Sequence, residues 1–99
     1  MKVLEKHMST LYELCEEHKV DKMYLFGSAL HEEYSDSSDI DFMVRFKPID
    51  LADYFENYIS FKEDLKALLG REIDLVEEQT LKNPILIKSI NRSKELVYG

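Results

Sequence analysis

Lys22-Met23-Tyr24-Leu25-Phe26-Gly27-Ser28, ten further residues, and then Asp39-Ile40-Asp41-Phe42-Met43-Val44-Arg45-Phe46 form the stretch that decides the fold. The first segment, Lys22 to Phe26, is β-prone and stops at a glycine; the second alternates and runs apolar until Lys47-Pro48 closes it. Residues two apart in a strand share a face, so Asp39 and Asp41 point one way while Ile40 and Phe42 point the other. Carboxylates side by side raise one another's pKa unless something neutralises them, and a divalent cation does so. An oxygen-only ligand set favours Mg²⁺ or Mn²⁺. Magnesium takes one or two carboxylates and completes its octahedron with water and substrate phosphates, so the pattern points to a phosphate substrate. Gly27 at the strand end lets the backbone approach a ligand closely. Amides at a following helix start can hold a phosphate, and the Ser28 hydroxyl adds a donor. A calcium loop of the EF-hand type fails, because the acids run straight into Phe42-Met43-Val44 with no glycine at the sixth position and no closing glutamate.

Working outward, Leu4, Met8, Leu11, Tyr12 and Cys15 recur at helical spacing between charged residues and predict an amphipathic helix over 3–18. Ala29 to Glu33 can form a short helix, and Tyr34 to Ser38 is turn chemistry. From Asp50 to Leu69, the residues Leu51, Tyr54, Phe55, Tyr58, Leu65 and Leu68 fall on one side, with Asp50 as N-cap and Gly70 as the stop. On that pattern Tyr54, Phe55 and Tyr58 read as core rather than as a base-stacking platform. Glu72 to Val76 is a further strand that places Glu72 and Asp74 on one face and Ile73 and Leu75 on the other. If it neighbours the first acidic strand, Asp74 becomes a third carboxylate, with Glu72 as its rival. Three carboxylates can hold two cations. Asn83-Pro84 opens a helix through about Asn91, and Glu95 to Tyr98 adds a closing strand. Helices and strands alternate, which predicts an α/β fold with α-helices packed on a small mixed β-sheet.

Composition narrows the function classes. Ninety-nine residues suffice for one core, expected to be a single domain over 1–99 that buries somewhat over ~60% of its unfolded surface. The longest apolar runs are four residues, so no membrane span is expected. The charged N-terminus does not read as a secretory signal. A lone cysteine, Cys15, fits a reducing, cytoplasmic setting as a buried hydrophobe. With 13 Lys+Arg against 20 Asp+Glu the net charge is −7, which argues against direct nucleic-acid binding but not against one nucleotide bound through metal ions. The basic residues Lys82, Lys88, Arg92 and Lys94 gather near the C-terminus, and their plainest reading is a solvated helix face. His31 reads as a surface histidine and Arg45, on the face of Asp41, as a strand-edge charge. The three histidines share no metal-ligand spacing.

At Gly-Ser, ten residues, Asp-x-Asp the sequence resembles the minimal nucleotidyltransferases of the DNA polymerase beta superfamily. The resemblance extends over most of the chain from about Lys22, through Arg71-Glu72-Ile73-Asp74-Leu75-Val76 to the C-terminal helix and strand. It implies a polymerase-beta-like nucleotidyltransferase fold and transfer of a nucleoside monophosphate, AMP from ATP, to a hydroxyl with release of pyrophosphate. By the same resemblance Asp39, Asp41 and Asp74 are the catalytic and metal-binding acids, with two Mg²⁺ ions (Mn²⁺ as substitute), and Gly27 and Ser28 hold the triphosphate. Chains of this size in the family resemble the antitoxin of a two-gene toxin–antitoxin system, whose acceptor is a tyrosine on a helical HEPN-type toxin. The absence of room for an acceptor-presenting domain points to such a macromolecular partner. After Gly-Ser the family often has an Arg-Ala-Arg-Gly-like run, whereas this chain has Ala29-Leu30-His31-Glu32. That departure favours the alternative, a catalytically weak or inactive binding module that neutralises a helical partner by complex formation.

Overall fold

A computed structural model describes residues 2–27 and 39–99. Four strands form one mixed sheet in the order β3-β2-β1-β4, comprising β1 (Val20–Phe26), β2 (Ile40–Phe46), β3 (Ile73–Glu77) and β4 (Glu95–Tyr98). β1 runs antiparallel to both β2 and β4, while β2 and β3 are parallel. A parallel neighbour requires a crossover, and the 19-residue helix α3 (Leu51–Leu69) provides it. The other helices are a single turn, α1 (Lys2–Glu5), then α2 (Met8–Glu17) and α4 (Pro84–Ser93).

The expected helix over 3–18 is therefore two pieces, separated at Lys6-His7. There the His7 amide donates to the Leu4 carbonyl at 3.0 Å, a tighter closure than the α-helical bond. Leu4, Leu11 and Cys15 still reach the core. Helix α3 ends where Gly70 takes a left-handed conformation, φ 67°, and donates its amide to the Lys66 carbonyl at 2.9 Å. Asp50 occupies the N-cap position without a side-chain capping bond. Asn83 does cap α4: its Oδ1 accepts from the Ile85 amide at 2.9 Å and the Leu86 amide at 3.4 Å. The expected short helix and turn between Ser28 and Ser38 lie outside the described residues.

Packing divides by sheet face. Ile40, Phe42, Val44 and Phe46 of β2 join Met23 and Leu25 of β1, Ile73 and Leu75 of β3, Leu11 and Cys15 of α2, and Phe61, Leu65 and Leu69 of α3 in one core. Burial pushes the Cys15 thiol up to about 12, so it stays a neutral apolar filler. The opposite face carries Tyr24, Asp41, Met43 and Asp74. There α4 covers the middle, where Met43, Ile87 and Ile90 line a small shared cavity. Among the described residues no helix is long and apolar enough to cross a membrane.

The exposed side of α3 departs from expectation. Leu51 is 88% and Phe55 72% exposed, whereas Phe61, Leu65 and Leu69 are buried and Tyr54, Tyr58 and Leu68 pack against the core. Phe55 is thus not a core residue.

Candidate active site

The register of the sheet builds the site. Phe26 of β1 pairs with Asp41 of β2, and Asp41 pairs with Asp74 of β3, so the two acids sit on adjacent parallel strands at the same level. Each is flanked in its own strand by core residues, Ile40 and Phe42 around Asp41, Ile73 and Leu75 around Asp74. Those anchors fix the strand faces, and the pleat then forces both acids to the other side. Asp39 lies just before β2 and is exposed.

The electrostatics follow from that placement. Asp41 is half-buried, and its carboxyl is raised above its ordinary value of 3.8 by burial first, then by the charges of Asp74 and Asp39 and a hydrogen bond with Asp74. Neighbouring acids repel when both are charged, and a proton or a cation between them relieves that repulsion. The three acids are not equivalent. Asp41 and Asp74 meet directly, while Asp39 acts on Asp41 through its charge; the oxygens of the three do not all approach within 4.8 Å of one another. Glu72, the rival of Asp74, is engaged elsewhere, its Oε1 2.9 Å from Lys66 Nζ.

Gly27 closes the site from the β1 side. It has φ 76°, in the left-handed region, and a Cβ there would overlap Asp41 Oδ2. Glycine is required by backbone conformation and by the carboxylate packed on it. Ser28 and His31 lie outside the described residues. Arg45 is held by Asp21, Nε to Oδ2 at 3.7 Å, further along the sheet from the acids.

Sequence reasoning treated Tyr58 only as core, yet its hydroxyl donates to the Leu75 carbonyl, next to Asp74 in β3. The phenol is raised by burial first and then by the charges of Asp74 and Glu77. It is a positioning residue for the strand that carries Asp74. Helical spacing could not distinguish it from a purely apolar contact.

A second titratable cluster lies on the helical side, where ligand atoms of Glu17, His18 and Asp64 come within 4.8 Å of one another. Both nitrogens of buried His18 have protein partners. Nδ1 is 2.8 Å from the Leu14 carbonyl, and Nε2 is 3.2 Å from Ser60 Oγ and 3.4 Å from Asp64 Oδ2. Together with the bond from Asn57 Nδ2 to the His18 carbonyl, this fastens the end of α2 to α3.

Comparison with known proteins agrees with this architecture. Residues 9–99 match the family described as polymerase beta nucleotidyltransferase. A Methanocaldococcus jannaschii protein, provisionally named a protein adenylyltransferase, is 34% identical over 96 residues, covering 97% of this chain and 90% of its own length. A solved structure, provisionally named a minimal nucleotidyltransferase, superposes with a TM-score of 0.78 at 26% identity, covering 95% of this chain and 92% of its own. The MNT antitoxin fold, solved for Shewanella oneidensis in complex with a tri-AMPylated HEPN toxin, superposes at a TM-score of 0.66 with 19% identity, over 96% of this chain and 71% of that one. Asp41 and Asp74 thus meet on a four-stranded mixed sheet of the polymerase-beta-like kind, and the chain belongs to the polymerase beta nucleotidyltransferase family.

Proposed function

We propose that the chain transfers AMP from ATP to a hydroxyl of a partner protein, a tyrosine of a helical HEPN-type toxin, with release of pyrophosphate. The observation that carries this reading is the contact of Asp41 with Asp74 across parallel strands, beside a glycine that admits no side chain. The donor set fits a hard divalent cation: all ligands are carboxylate oxygens, they repel one another, and two are already in contact. Asp39, Asp41 and Asp74 would hold Mg²⁺, two ions in the full site, with Mn²⁺ as a substitute. Bound there, the metal supplies charge neutralisation for the phosphates and a lowered pKa for the acceptor hydroxyl.

The chain's own groups do the rest. Asp74, exposed at the sheet edge, takes the proton of the acceptor hydroxyl as its oxygen bonds to the α-phosphorus. The bond from that phosphorus to the bridging oxygen breaks, and pyrophosphate leaves with the electron pair. Gly27 and Ser28 hold the triphosphate, and Tyr58 keeps β3 in register. A protein acceptor is supported by apolar side chains turned outward, Leu51 and Phe55 on α3 and Ile85 at 80% exposure on α4. It is supported too by the Shewanella complex, in which the HEPN toxin beside the MNT antitoxin is tri-AMPylated. The buried, unpaired Cys15 fits a cytoplasmic setting.

A second reading, a binding module with weak or absent catalysis, is favoured by the sequence after Ser28, where residues 28–38 contain no Lys or Arg. Incubating the chain with Mg²⁺, labelled nucleoside triphosphates and the product of the adjacent gene separates the two. Label on a partner tyrosine, lost with Asp39→Asn or Asp41→Asn, is the expected result. Tight partner binding without transfer at saturating nucleotide would leave only the binding module.

A further inference from the structure

The catalytic face must hold a strongly anionic phosphate tail, yet the segment that begins at Ser28 cannot supply the charge. Residues 28–38 carry Glu32, Glu33 and Asp36 and no Lys or Arg. In a chain of net charge −7 any side-chain cation that adds to the metal's charge comes from elsewhere in the fold. Arg45 and Lys66 are taken up by Asp21 and Glu72.

Lys94 is placed differently. It is the single residue between α4, ending at Ser93, and β4, beginning at Glu95, so two elements fix its backbone. Its amide donates to the Ile90 carbonyl at 2.8 Å. Its ammonium stands over the ring of Tyr24, 4.3 Å from the centroid. Among the described residues it has no carboxylate within ion-pair distance.

Tyr24 identifies the face. It pairs with Met43 of β2, which lies under α4 on the side of the sheet that carries Asp41. Along β1, Tyr24 is two residues before Phe26, roughly 7 Å away, and Phe26 is the partner of Asp41. In the antiparallel pairing of β1 with β4, Tyr24 faces Leu96 and Leu25 faces Glu95, so the Lys94 backbone comes at the level of Phe26 and its side chain leans back over Tyr24. Lys94 and Tyr24 are both half-buried, and an aromatic ring holds an ammonium less strongly than a fully charged partner does, so the cation can turn to a phosphate.

We propose that Lys94 binds the β- and γ-phosphates of the nucleotide from the α4 side, supplying the positive charge that the segment after Gly27 lacks. The basic C-terminal segment is then part of the site rather than only a solvated helix face. This rests on the nucleotide-binding reading above.

The test is Mg²⁺-dependent binding of ATP and of AMP by the full chain, measured by calorimetry for wild type, Lys94→Met and Lys94→Arg. Lys94→Met should weaken ATP by roughly tenfold while leaving AMP unchanged, and Lys94→Arg should restore most of the loss. A purely structural lysine on Tyr24 would move both ligands together or neither, and the thermal midpoint with them. Equal ATP affinity in wild type and Lys94→Met would overturn the role of Lys94 and leave the nucleotidyltransferase reading intact. A wild type that binds no triphosphate with Mg²⁺ would overturn both.

Discussion

The two faces of β2 differ as much as any two regions of the molecule. On one side Ile40, Phe42 and Val44 are each 0% exposed, locked between β1, β3 and the helices α2 and α3. On the other, the residues between them are half-buried Asp41, covered Met43 and exposed Arg45. One strand therefore serves stability and chemistry by alternation alone. The dry face fixes where the strand lies. The wet face can then carry a pair of like charges that by itself opposes strand pairing.

The two faces respond separately to substitution. The largest effect belongs to the dry face. Phe42→Ala should cost about 3–5 kcal/mol in a denaturant titration, through lost transfer energy and the cavity left behind. A loss below about 1 kcal/mol would mean that the core is not organised around this strand.

Gly27→Ala comes next. A side chain at positive φ costs about 1–3 kcal/mol, and the new methyl also displaces the Asp41 carboxylate. Placing the same change in an Asp41→Ala background should shrink the cost to the backbone part. An undiminished cost would show that the two residues are uncoupled.

The smallest effect has the opposite sign. The fold favours the protonated form of Asp41, so its stabilising contribution is complete below the unfolded carboxyl's value of 3.8 and is lost as pH rises through the raised folded value. In metal-free buffer at neutral pH, Asp41→Asn should therefore raise the melting temperature, and the gain should fade as the pH is brought below the ordinary carboxylate range. A lower melting temperature at neutral pH would mean that the Asp41–Asp74 pair stabilises the fold.

Much of this was readable beforehand, for definite reasons. Gly27, Gly70 and Asn83-Pro84 mark element ends through backbone conformation and capping, which are local properties. Alternation around Asp41 and Asp74 told which way each acid points, because a strand has only two faces. What periodicity does not carry is where along its length a helix meets the sheet. Leu51 and Leu69 lie about five turns apart on α3 and point in the same direction. Yet one is 88% exposed and the other 5%. The direct contact of Asp41 with Asp74, with Asp39 set apart, was likewise beyond the sequence, since strand adjacency fixes levels and local chain direction fixes distances. Lys94 escaped for a related reason: its place over Tyr24 depends on α4 crossing the sheet face, which no spacing within 80–99 encodes.

The parallel pairing of β2 with β3 has a consequence in time. Asp41 and Asp74 are separated by the whole of α3, so their pairing closes a long loop, which is entropically costly. A nascent chain that has emerged only as far as α3 contains Asp41 but no partner for it. Acid pairing, and whatever chemistry it supports, thus waits on synthesis through β3: a copy truncated within α3 has no pair with which to act on a nucleotide.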